Sequence, residues 1–150
     1  MTEQAARSFI RRIEHDGATL AIILSHRHVG EGIEFFTPPD FSQQLGYMRR
    51  PEGYEIEPHV HKLVIREIKF TQEVLVVRSG RIRVDLYTAG RAFLQSEVLE
   101  KGDVILLASG GHGFTFLEES ELVEIKQGPY LSFEVDKEHF EGRPFSEDDK

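Results

Sequence analysis

The chain has 150 residues, enough for one domain with a sizeable core and too few for two ordinary ones. Its 18 Lys and Arg against 26 Asp and Glu give a formal charge of −8, which argues against nucleic-acid backbones and anionic membranes as partners. The absence of cysteine excludes disulfides, thiolate nucleophiles and Cys-ligated metal centres, leaving the seven histidines and the carboxylates as the strong ligands.

The N-terminal segment Thr2–Ile13 predicts a short helix, with Thr2 as N-cap and Ala5, Phe9 and Ile13 at helical spacing. It lacks the apolar stretch of a secretion leader, and no run approaches the ~18 apolar residues of a membrane helix, so a cytoplasmic protein is expected. Short β segments follow. Ala18–Ser25 and Ile33–Thr37 are apolar and partly β-branched, and Pro38-Pro39-Asp40 ends the second. Gln43–Arg49, the turn Pro51-Glu52-Gly53, Tyr54–His61 and Ile68–Arg78 come next. After Ser79-Gly80, Arg81–Thr88 alternates cleanly, with Ile82, Val84 and Leu86 on one face and Arg81, Arg83, Asp85 and Tyr87 on the other. Ala89-Gly90, Lys101-Gly102-Asp103 and Ser109-Gly110-Gly111 mark further turns. Many short strands and almost no helix predict an all-β barrel or double-sheet jelly roll, with its body over 14–133, as a single domain over 1–150. Residues 134–150 carry seven acids and three bases, half of the net charge, and read as a solvated, partly disordered tail.

Chemistry points to Glu57-Pro58-His59-Val60-His61. On a strand, alternate residues share a face, so His59 and His61 would project together and Glu57 with them. A His-x-His pair alone has little specificity, because His26-Arg27-His28 is another; those two read as surface residues at a strand end. The residues downstream of His61 distinguish the two pairs. Glu73 is followed by six residues and Gly80, and Gly102 by five residues, Ala108, Ser109 and Gly110, with His112 two positions on.

This pattern resembles the two motifs of the cupin superfamily over residues 59–116. Eleven residues separate His61 from Glu73 where three or four are usual, Ala108 stands for a proline, His112 comes one residue early, and Phe116 stands where asparagine is usual. The resemblance implies a cupin jelly roll holding a divalent Fe, Mn, Ni or Zn ion through His59, His61, Glu73 and His112. Glu67, with five residues between it and His61, competes with Glu73 for the carboxylate position; the distance to Gly80 favours Glu73. Phe114 and Phe116 share parity with His112, and Leu75 and Val77 with Glu73, so an apolar pocket beside the site is expected. Glu57, Tyr47, Arg83 and Phe114 are the weaker substrate-contact candidates, followed by Arg49, Gln127 and Tyr130.

The family spans oxygenases, isomerases, epimerases, decarboxylases and non-catalytic binding modules. The resemblance therefore implies a metal-dependent enzyme of dioxygenase or isomerase type acting on a small polar metabolite. A sugar- or carboxylate-binding module, or a metal-free epimerase-like barrel, are the alternatives. Exposed edge strands lead to the expectation of a homodimer.

Overall fold

Residue 16 and its neighbour decide how the chain begins. Asp16 and Gly17 both take left-handed backbone angles, φ 48° and 76°, and turn strand β1 (Ile10–His15) directly into β2 (Ala18–Leu24). Asp-Gly is the strongest short hairpin signal, because its backbone twist matches that of the strands it joins. The expected N-terminal helix is thus overturned from Ile10 onward. Ile10 and Ile13 pair with Leu24 and Ala21 across the hairpin. The computed structural model describes residues 9–144, 146 and 148, so the first part of that expected helix lies outside the described residues.

The remaining strands are β3 (Gly32–Phe35), β4 (Gly46–Arg49), β5 (Glu73–Ser79), β6 (Arg81–Tyr87), β7 (Phe93–Glu100), β8 (Val104–Leu107), β9 (Gly111–Phe116) and β10 (Glu121–Lys126). All pairings are antiparallel. They build a five-stranded sheet in the order β1-β2-β8-β5-β10, a three-stranded sheet β7-β6-β9, and the separate pair β3-β4. The protein is all-β as expected, but the sheets do not close on one another.

Two apolar clusters hold these layers together. The inner one joins Ala21, Ile23, Leu75, Val77, Ile105 and Leu107 of the larger sheet to Ile82, Val84, Leu86 and Leu99 of the smaller. The outer one sets Ile22, Leu24, Val74 and Leu106, from the opposite face of the larger sheet, against Phe36, Phe41, Leu45 and Tyr47. Strand β2 is therefore covered on both faces, which is why Leu20–Leu24 is a continuous apolar run rather than an alternating one. In β6, Ile82, Val84 and Leu86 face the inner core, as alternation requires.

Two stretches depart from expectation. Tyr54–His61 is not a strand. Every residue from 50 to 71 is exposed and outside any strand. The segment has apolar residues, but among the described residues no strand pairs with it to take its backbone hydrogen bonds. The acidic tail, conversely, is partly packed. Ser132 caps a single helical turn, α1 (Phe133–Asp136), and Phe140 then lies edge-on against Tyr87 at 5.1 Å. The Arg143 N–H donates to Tyr87 Oη at 2.6 Å. Among the described residues no helix is long and apolar enough to cross a membrane.

Candidate functional site

Where β5 begins, the chain is clamped. The Gln72 side-chain oxygen accepts from Ser42 Oγ and the Gln43 N–H, its carbonyl accepts from Gln43 Nε2, and its own N–H donates to Gln127 Oε1. This fixes the direction of the next residue, Glu73, which shares the inward face of β5 with Leu75 and Val77. On the facing sheet, His112 sits opposite Leu86 in the β6–β9 register and points inward with Phe114. The two meet between the sheets, with His112 Nε2 3.2 Å from Glu73 Oε2. The Glu73 side chain is 7% exposed and that of His112 29%, so the pair is open to solvent from the histidine side.

Two lysines complete the arrangement. Lys126, the register partner of Glu73 on β10, places Nζ 4.0 Å from Oε1, and Lys137, just after α1, places its Nζ 3.9 Å from the same oxygen. The hydrogen bond from His112 holds the Glu73 carboxyl below the usual carboxylate range; burial opposes this, and the charges of His112, Lys137 and Lys126 add to it. Burial works against the charged form of Lys126, but Glu124, Glu73 and Asp136 outweigh it and raise its pKa. The result is an ionised carboxylate inside an apolar sandwich, matched by three nitrogen groups. Such a centre can accept or donate a proton, and its lysines can hold an anionic oxygen. Phe114 stands beside His112, ring centroids 5.4 Å apart, and forms an apolar wall.

The other expected ligands are elsewhere. His59 and His61 are neighbours, rings edge-to-face at 5.4 Å, but lie on the exposed segment, where His59 Nδ1 donates to the Glu57 carbonyl at 2.9 Å. Glu67 is exposed on the same segment, 3.7 Å from Lys69. Of the two carboxylates weighed for the site, Glu73 is the one beside a candidate histidine. Tyr47 packs on the outer face of the larger sheet, where His28 lies edge-on to Tyr47 and Phe36. Arg83 is on the outer face of the smaller sheet, paired with Asp85 at 2.8 Å. His26 orients on Asp103, Nδ1 to Oδ1 2.9 Å.

The donor chemistry of Glu73 and His112 suits a divalent ion, since two ligand atoms each about 2.1 Å from one metal lie about 3 Å apart. Among the described residues, however, no group of three or more His, Asp or Glu side chains is gathered to hold one. Lys126, Lys137 and Gln72 carry no sequence signal as site residues. The lysines are separated from Glu73 by more than fifty residues, and Lys137 lies in a stretch whose composition reads as solvated tail. No protein-family model, no curated protein and no solved structure matches the chain.

Proposed function

We propose that the protein is a cupin-type, small-molecule-binding β-sandwich whose working centre is the Glu73–His112 pair, and that His59 and His61 complete a divalent metal site there when segment 50–71 folds in. The observation that carries the reading is the inward-facing contact of Glu73 and His112 at 3.2 Å between the two sheets. Supporting it, Gly80 and Gly110 sit where the family pattern has its glycines, and both take left-handed backbone, φ 79° and 72°. A bound Fe, Mn, Ni or Zn ion would supply Lewis acidity or, as iron, oxygen chemistry. The chain's own contribution is to keep Glu73 ionised, to orient His112 toward the opening, to hold substrate oxygens with Lys126 and Lys137, and to shield one side with Phe114.

The test is metal analysis of untagged protein. Near-equimolar Fe, Mn, Ni or Zn is expected, falling severalfold in His112→Ala and in His59→Ala/His61→Ala. Metal content unaffected by both variants overturns the site. Turnover of a metabolite panel then separates an enzyme of dioxygenase or isomerase type from a sugar- or carboxylate-binding module.

A second reading rests on the two lysines, which already balance the Glu73 charge without an ion. In it the pair is a metal-free acid–base centre, and metal-depleted protein keeps its ligand binding. The homodimer belongs to the same proposal. It is supported by the exposed Val123 and Ile125 on edge strand β10 and is tested by light scattering.

A further inference from the structure

The outer face of the three-stranded sheet, on the far side from His112, is built around charge. Arg83 and Asp85 alternate with core residues Val84 and Leu86 and therefore point away from the Glu73 centre. Both are almost fully buried, at 2% and 4% exposure. Arg83 Nη2 donates to Asp85 Oδ2 at 2.8 Å, and Asp85 Oδ1 accepts from Ser96 Oγ. Arg143, from the C-terminal segment, reaches over the same carboxylate, with Nη1 3.8 Å from Asp85 Oδ1. A buried ion pair adds little stability over an apolar pair of the same volume, so fold stability alone gives this one weak justification.

Beside this network lies a cleft of about 530 Å³, wide open to solvent. Among the described residues its wall includes three guanidinium groups, from Arg81, Arg83 and Arg143, and the apolar side chains of Phe93 and Leu117. The volume is that of a small-molecule site. Among the described residues, three guanidiniums stand here against two carboxylates, Asp85 and Asp148, which leaves a net positive charge in a chain of net charge −8. Planar guanidinium matches carboxylate in two-point hydrogen bonding. The cleft wall also includes a carboxylate of the chain itself, that of the exposed Asp148.

We propose that this cleft binds a small organic carboxylate, its charged end on Arg83 and Arg143 and its apolar body against Phe93 and Leu117, and that Asp148 competes for the same ground. The site is distinct from the Glu73 centre and does not depend on it. Arg143 is the discriminating residue, because its side chain is partly exposed and its backbone anchor to Tyr87 survives substitution.

The experiment titrates full-length protein with benzoate, phenylacetate and hexanoate, and with their uncharged amides, by calorimetry and thermal shift. Saturable binding of at least one carboxylate but not its amide is expected, weakened about tenfold or more in Arg143→Gln and strengthened in Asp148→Asn. Glu73→Gln should leave it unchanged. Absence of saturable binding, equal binding of acid and amide, or unchanged affinity in Arg143→Gln overturns the site. Loss of binding in a folded Glu73→Gln also overturns it, by moving the ligand to the other centre. Unchanged affinity in Asp148→Asn overturns the competition.

Discussion

Glu73 shows how one residue can carry both a stability and a chemical consequence. Its carboxyl titrates below the ordinary value of 4.5 in the folded protein, chiefly through the His112 hydrogen bond. A lowered folded pKa stabilises above the unfolded value, and that contribution is lost as pH falls through the folded one. In Glu73→Gln, stability is therefore expected to be lower than in the parent at pH 7, by roughly 1–3 kcal/mol. The difference should shrink as acid titrates the carboxyl, and urea melts between pH 3 and 7 measure it; a gap that stays constant over that range refutes the assignment. Gly80 makes a purely steric case. A Cβ there would collide with Ser120 Oγ and the Glu119 carbonyl and come within 2.7 Å of Ser120 Cα, on a backbone at φ +79°. Gly80→Ala should cost roughly 2 kcal/mol or more, read as a lowered denaturation midpoint. The sequence marks Glu73, Gly80 and His112 as worth attention, because motif spacing is local information. It has no means of marking Lys126 or Lys137, whose proximity to Glu73 depends on β10 pairing with β5 and on where α1 leaves the chain.

At the scale of elements, burial on one face or two decides which strands are readable. Strand β6 alternates, and its expected bounds agree with the observed ones to within one residue, while β2 stands out as an apolar run. Strand β1 reads as helix, because Ala5, Phe9 and Ile13 follow one another at four-residue, helical spacing, whereas the Asp16-Gly17 hairpin turn decides for strand. Strand β7 is not among the expected segments; it alternates less clearly, with Gln95 and Glu97 on its inward side, where Glu97 pairs with Arg11 of β1. A strand is expected within segment 50–71, and instead every residue of it is exposed. Trypsin should therefore cut first after Lys62, Arg66 or Lys69, leaving the sandwich intact. Under the proposed function, added Ni or Zn should slow that cleavage in the parent but not in His59→Ala/His61→Ala. Equal protection in both would show that any metal effect lies elsewhere.

The whole molecule is a sandwich braced at its outer faces. The C-terminal segment covers Tyr87 and Asp85 through Phe140 and Arg143, yet its described residues add none to the inner cluster between the sheets. Truncation after Glu138 should leave a folded protein with a melting temperature lower by several degrees, from loss of about 2 kcal/mol of contact. Differential scanning calorimetry checks this, and a truncated chain that no longer melts cooperatively would show that the tail belongs to the core.

By itself the sequence determined the all-β class, the positions of several strands, β2 and β6 most clearly, and the residue types available for chemistry, since alternation, turn residues and composition are properties of neighbouring positions. Tertiary structure decided which of those residues meet. It set Glu73 against His112 and two lysines, left His59 and His61 on an exposed segment, and buried Arg83 with Asp85 under the tail. Such meetings depend on how one sheet stacks on another and on where long connections run, and hydrophobic burial drives that stacking without regard to distance along the chain.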